Sequence, residues 1–333
     1  MIDQLITSEF KDKKVVVTGG TGMIGRQIVE KLCAAGARVA SVSLDKVATD
    51  PRAENIYADL TDFTLCREVT KNADFVCHIA GIKGSVEVTR SKPADFLIPL
   101  LMMNTNLLEA CRLNEVAKVV YTSSIGAYAA AEIFHEEDDS LSAPPMDEFP
   151  GWAKRMAELQ IAAYRQQFGA ENFAIVRPCN VYGPGDNFDP DNAMVIPTLI
   201  HRIASGEDPV TIWGDGSAIR DFAYAADVAD GILLALYKGT RGSFVNLGSG
   251  KGYSIAELVD TLHEFLDFNH HFDTSKSSGF PRRVMDISRA QDWLDYQPAT
   301  SLRAGLEATY NWYQEHRSEG EGRKNYFRED QDG

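Results

Sequence analysis

The stretch KKVVVTGGTGMIGRQIVEKL, beginning at Lys13, constrains the fold of this chain more than any other. A β-branched run (Val15, Val16, Val17) passes into a turn holding Gly19, Gly22 and Gly25, then into a segment whose apolar residues recur at helical spacing. A strand that feeds a helix through so short a turn needs its first glycine for the turn itself. The second lets backbone approach a ligand closely, and the third lets helix and strand pack. The helix that follows presents its first N–H groups to an anion. The spacing therefore predicts a dinucleotide pyrophosphate held by Gly19, Gly22, Met23, Ile24 and Gly25. A plain glycine-rich turn is the competing reading.

The pattern continues. From Lys13 to about Arg177, short apolar runs (ARVASVS, ENIYADL, DFVCHIAG, KVVYTSS, FAIVRP) alternate with helical segments, the longest running from about Pro93 to Asn114. Continuous apolar strands separated by helices imply a parallel sheet covered on both faces by right-handed crossovers. The expected fold class is α/β, a Rossmann-type doubly wound parallel sheet with a smaller C-terminal substrate-binding lobe. The sheet domain is expected over 1–178, with about 208–250 returning to it; the lobe over 179–207 and 251–316; and a polar tail over 317–333. The Gly/Asp/Pro/Asn-rich segment YGPGDNFDPDN reads as a binding loop rather than a connector.

Charge narrows the partners. Lys+Arg 33 against Asp+Glu 48 gives a net charge of −15, which repels nucleic acid and anionic membranes, so a phosphate-bearing ligand must be held by a local cluster of donors. The five cysteines are scattered and mostly lie in apolar runs, as reduced core residues do. The first residues lack a basic segment followed by an apolar run, and no stretch approaches the length of a membrane helix, so a cytoplasmic protein is expected.

Other positions fit an adenosine and a nicotinamide. Asp59, with Leu60, follows the third strand, where a carboxylate accepts from an adenine amino group; Ala80 and Gly81 end the fourth, at the carboxyl edge where cofactors lie; and Pro178 ends FAIVRP. His78 reads as a packed core histidine. At the end of the second strand stand Ser43, which tolerates a 2′-phosphate, and Asp45, which disfavours one, so NAD and NADP both remain open.

Together TGGTGMIG, ADLTD, HIAGIKGS, YTSSIGAY, RPCNVYGPGDN and WGDGSAIRDFAYAADVA, in this order, resemble the extended short-chain dehydrogenase/reductase family of NAD(P)-dependent nucleotide-sugar epimerases and dehydratases. Within it, KPADFLIPLLMMNTNLLEA and the segment from YGPGDN to Arg202 look most like GDP-L-fucose synthases. The resemblance implies a nucleotide-diphosphate sugar bound beside a nicotinamide. Asn180 and the segment starting at Val195 would touch it, Arg220 and Arg283 would face its diphosphate, and Lys83 would lie near the sugar. Solvated surface is the alternative for both arginines. The family also implies a homodimer formed through the two long helices.

Three residues carry the proton chemistry in this family: a Ser or Thr, a Tyr, and a Lys four positions after the Tyr. Four-residue spacing on a helix lets the ammonium lower the phenol's pKa. Ser124 and Lys154 match the first and last, but four before Lys154 stands Pro150 in DEFPGWAKRMAE. Proline has no proton to exchange, though its fixed φ suits the first turn of a helix. Fucose synthases further place a cysteine two after the serine and a histidine just before VIP; Gly126 and Met194 stand there. Two functions stay open. One is an enzyme with an atypical acid/base, for which Lys83, Ser124 with a water, Asp147 and Glu148 are candidates; the other is a non-catalytic or regulatory member that binds cofactor and sugar.

Overall fold

The computed structural model describes residues 8–82, 84 and 86–318. Strand β1 (Lys14–Thr18) leads through the glycine turn into helix α1 (Met23–Ala34), and β2 (Arg38–Ser43) and β3 (Glu54–Tyr57) follow. Next come α2 (Phe63–Val69), β4 (Phe75–His78), α3 (Val86–Ser91), α4 (Pro93–Leu113) and β5 (Lys118–Thr122). A short strand β6 (Ile133–Phe134) precedes α5 (Glu148–Phe168), β7 (Phe173–Pro178) and β8 (Asn180–Tyr182). The remainder is α6 (Val195–Ala204), β9 (Val210–Trp213), β10 (Ile219–Tyr224), α7 (Ala225–Lys238), β11 (Val245–Leu247), β12 (Gly252–Ser254), α8 (Ile255–His263), β13 (His270–Asp273), β14 (Arg282–Met285), α9 (Ser288–Leu294) and α10 (Leu302–Glu315).

Seven parallel strands form the main sheet in the order β11-β7-β5-β4-β1-β2-β3. The order reverses between β1 and β4, where crossovers leave the sheet toward opposite faces and open a crevice at the carboxyl ends of the strands. This is the expected doubly wound sheet. One face is covered by α2, α4 and α5, whose Leu100, Leu107, Cys111, Ala157 and Ile161 pack on Val16, Val76 and Val119. The other is covered by α1, α7 and α9, through Ile28, Leu32, Val228, Ile232 and Leu294 against Val15, Val17 and Val120. Each such fully buried aliphatic side chain contributes about 1.5–3 kcal/mol. Alternation fails in these strands because both faces are buried. All five cysteines are buried and unpaired.

The helices end where their residues dictate. Pro93 opens α4, and Gly169, at φ 65°, closes α5 in a left-handed turn that favours glycine. Ser254 and Glu257 form a reciprocal capping box at the start of α8.

A smaller sheet, β12-β10-β14-β6 with β8 added beside β10, stands apart from the first, and β9 pairs with β13 in a third. Their core gathers Tyr182, Ile200, Phe222, Leu258, Leu262 and Leu306. Within 208–250, α7 packs on the main sheet and β11 pairs with β7, whereas β9 and β10 join the smaller sheets. Lone strands in sequence leave their partner unspecified; here β10 is hydrogen-bonded to strands from three distant parts of the chain.

Candidate functional site

At the crevice, Gly19 adopts φ +68°, and a Cβ there would stand 2.9 Å from the backbone of Ala80. A Cβ on Gly25 would fall 2.0 Å from the Gly19 carbonyl oxygen, so no larger residue fits between strand and helix. Gly22 is the N-cap of α1; no side chain caps the helix, and no acidic residue occupies its first turn. The first-turn amides of Met23 and Ile24 thus open onto a cradle that suits an anion.

Beside this cradle Thr21 Oγ1 donates to Asp45 Oδ2 (2.9 Å) and lies 2.8 Å from Ser43 Oγ, which accepts from the Asp45 N–H (3.0 Å). The end of β2 is therefore tied to the glycine turn, with the Asp45 carboxylate beside it. Asp59 is exposed and accepts from Thr61 N and Oγ1, while Leu60 and Pro178 are buried. Ala80 N–H donates to Thr18 Oγ1 at 3.2 Å, and Gly81 lies open beside Lys154. These residues fit a dinucleotide: an uncapped helix start, glycines where a Cβ would collide, and a carboxylate at the end of β2 beside the glycine turn.

Beneath, His78 is fully buried, with Nδ1 2.8 Å from Thr18 Oγ1 and Nε2 3.0 Å from Asn104 Oδ1. Asn104 in turn donates to Tyr121 OH at 3.1 Å. Burial first, and then the nearby Lys154 charge, push the His78 pKa down to about 3, so the ring is neutral and serves to hold the strand ends.

Lys154 reaches from α5 over the Tyr121 ring and donates to the Thr122 carbonyl at 2.7 Å. Burial lowers its pKa to about 8, against the pull of Glu158. Ser124 caps the short turn Ile125–Ala127, its Oγ accepting from Gly126 N–H at 3.0 Å. Pro150 lies in the first turn of α5, where the missing N–H costs nothing. Glu148 is exposed at φ 44°. Lys83 lies outside the described residues.

On the lobe side Asn180 Nδ2 donates to the Asp221 carbonyl at 3.1 Å, fastening β8 to β10, and Val195 begins α6 half-buried. Arg220 and Arg283 occupy the same register position on neighbouring parallel strands. Arg220 donates to the Ile219 and Ser278 carbonyls (2.8 and 3.0 Å), and its pKa falls to about 10, through burial first and the Arg283 charge second. Arg283 stacks on Phe280, 4.3 Å from the ring centroid, and burial lowers its pKa; its Nε is buried without a partner. Both side chains are half-buried.

Two contacts had no signal in the linear pattern. The Asp147 carboxylate rests against Gly126, and its Oδ1 lies 3.6 Å from Arg283 Nη1. Gly126 stood out in sequence only as a missing cysteine; a small residue two after Ser124 is the hint that something else fills the space.

The family model described as "NAD dependent epimerase/dehydratase family" matches residues 15–248. A probable GDP-L-fucose synthase of Oryza sativa subsp. japonica is 31% identical over 322 residues, covering 92% of this chain and 93% of the relative. A dTDP-4-dehydro-6-deoxy-D-allose reductase of a Streptomyces species is 33% identical over 321 residues, covering 92% and 97%. Among solved structures, MoeE5 in complex with UDP-glucuronic acid and NAD superposes with a TM-score of 0.79 at 29% identity, covering 91% of this chain and 99% of that one.

Proposed function

Because the chain belongs to the NAD dependent epimerase/dehydratase family, with a nicotinamide dinucleotide as cofactor, we propose that it is a nucleotide-sugar epimerase or reductase working with an atypical acid/base. The observation that carries the substrate class is the pair Arg220 and Arg283, two buried-edge cations side by side with one guanidinium nitrogen unsatisfied. Like charges in adjacent register repel, and a diphosphate between them relieves the repulsion with bidentate, charge-assisted hydrogen bonds. The relatives named above act on GDP- and dTDP-sugars and MoeE5 binds UDP-sugar, which supports the class and leaves the base and sugar to the assay.

The main sheet would serve as the dinucleotide domain and the smaller sheets as the sugar lobe. Gly19, Gly22, Gly25 and the Met23 and Ile24 amides would cradle the pyrophosphate; Asp59, Leu60, Ala80, Gly81 and Pro178 would line the remaining length. Asp45 favours NAD, since a 2′-phosphate there would meet a carboxylate; Asp45→Ala should improve NADP affinity at least about tenfold by titration. When bound, the nicotinamide accepts or gives hydride. Lys154 would hold its ribose, Ser124 the reacting sugar oxygen, with Asn180, Val195 and Lys83 around the sugar.

We place the protein in the cytoplasm as a homodimer. Among the described residues no helix is long and apolar enough to cross a membrane. Ile98 and Met102 on α4, with Phe149, Trp152, Met156 and Leu159 on α5, are exposed apolar residues at three- and four-residue spacing. A four-helix seam between two copies would bury them; Met156→Glu should shift the sedimentation of a dimer toward monomer.

The test of the main reading is a panel of GDP-, UDP- and dTDP-sugars incubated with protein and NAD or NADP, following reduced nicotinamide by absorbance and product by mass. Turnover of one of them supports the enzyme. Binding without turnover on any would favour the second reading, a cofactor- and sugar-binding member without catalysis, for which Pro150 is the argument.

A further inference from the structure

Asp147 is the N-cap residue of α5, but its side chain caps none of the helix N–H groups. It leans instead across the Ser124 turn: a Cβ built on Gly126 would lie 2.2 Å from Asp147 Oδ2 and 2.7 Å from its Cγ, so only glycine admits the carboxylate here. Backbone contacts fasten the arrangement. Asp147 N–H donates to the Gly126 carbonyl at 3.3 Å, and a Cβ on Gly151 would fall 2.5 Å from the same oxygen. The carboxylate is thus held one turn before Pro150, against Gly126 of the turn that Ser124 caps, and faces the lobe through Arg283 at 3.6 Å.

Resting on the nucleotide-sugar reading above, we propose that Asp147 is the proton carrier of this site, and that Arg283, shared between Asp147 and the substrate diphosphate, sets when it takes up a proton. In the oxidising direction the sugar O–H bond breaks as the Asp147 O–H bond forms. The oxygen's electron pair closes the carbonyl, and the carbon-bound hydrogen leaves with its own pair to the oxidised dinucleotide. The reverse direction returns the same proton. A carboxylate is a weak base when solvated. The Asp147 side chain keeps 41% of its surface exposed, but the carboxyl group itself is crowded by protein on the Gly126 side; that loss of solvation raises its pKa while Arg283 draws it down. A diphosphate that engages Arg283 removes this counter-ion and raises the carboxyl further, toward the range useful for general acid/base work.

Among the described residues, the charged groups facing Asp147 are few. Arg283 comes from β14, with Arg220 in the next strand behind it. The Ser124 turn adds no charge, Glu148 is exposed, and Lys154 lies seven residues along the helix, about 10 Å at 1.5 Å per residue. Lysine therefore keeps its place at the ribose and does not tune the carboxyl, unlike in a site with tyrosine four residues before it.

The test uses the full chain labelled with carbon-13 at aspartate carboxyl groups. The Asp147 signal is identified by its loss in Asp147→Asn. It is titrated in the free protein, in Arg283→Gln, and with saturating GDP, UDP or dTDP. A midpoint above the usual aspartate range, moved upward by Arg283→Gln and by whichever diphosphate binds, supports the inference. An ordinary aspartate midpoint that neither change moves overturns it.

On the nucleotide-sugar that the wild type turns over, Asp147→Asn should lower kcat about 10²–10⁴-fold with KM little changed, and abolish the carboxyl limb of the pH profile. Unchanged kcat overturns the proton carrier and leaves the enzyme standing; a wild type inert on every nucleotide-sugar overturns both. Should Asp147→Asn fail to fold, the titration in Arg283→Gln decides, with the signal followed by its pH response.

Discussion

Arg220 and Arg283 sit directly across from one another on β10 and β14, two parallel strands that the chain brings together from positions 63 residues apart (283 − 220). Paired positions project their side chains to the same face. Arg220→Gln or Arg283→Gln should each weaken nucleoside diphosphate binding by roughly ten- to a hundredfold, the loss of charged hydrogen bonds worth about 1.5–3 kcal/mol. Calorimetry with GDP, UDP and dTDP checks this. Equal affinities in wild type and both variants would remove the diphosphate from this wall.

The three glycines of the first turn should separate by experiment. Gly25→Ala places a methyl 2.0 Å from the Gly19 carbonyl and should cost several kcal/mol, or prevent folding. Gly22→Val meets only that carbonyl, at 3.2 Å, and otherwise faces the cradle. It should fold and lose dinucleotide binding. A folded Gly22→Val that binds NAD as wild type does would argue against the cradle.

Lys154 supplies a pH signature. Its folded pKa of about 8 is below the ordinary 10.5, so the unfolded chain binds more protons in between. Linkage then makes the wild type gain stability as pH rises from 8 to 10.5, with the cost of the buried charge fully present below 8. Lys154→Met lacks this group. The stability difference, wild type minus variant, should increase across that window in urea unfolding, and a flat difference would mean that Lys154 stays charged. The variant should also lose dinucleotide affinity.

Pro150→Tyr restores a phenol four residues before Lys154, on the same helix face. Proline in a first helical turn gives up no hydrogen bond, so the exchange should leave the thermal midpoint nearly unchanged. In a sugar assay it should raise turnover, or rescue Asp147→Asn by about 10²-fold or more. A well-folded Pro150→Tyr that rescues nothing would mean that the geometry around position 150 has also diverged.

Much of the scaffold was legible in order of residues. Runs such as VVVTG and KVVYTSS, buried on both faces, could only be strands of a covered parallel sheet, and the glycine spacing placed the crevice. The helix Pro93–Leu113 lies close to where periodicity put it. The lobe was harder: β6, β8, β12 and β14 are two to four residues long, too short to carry a period, and β6 and β14 pair across some 150 residues of chain (284 − 133 = 151).

What the sequence by itself determined is what acts locally: a glycine turn between strand and helix, Lys154 at helical spacing from a proline, and a net charge that leaves phosphate to be held by few residues. Position 150 lacks a proton donor whatever the fold. What only the tertiary structure decided is how those residues are joined by others distant in the chain. Arg283 meets Arg220 through strand pairing and Asp147 through space, and Gly126 leaves room for that carboxylate. Such contacts depend on the closing of long loops around a shared core, and no window of sequence contains both partners.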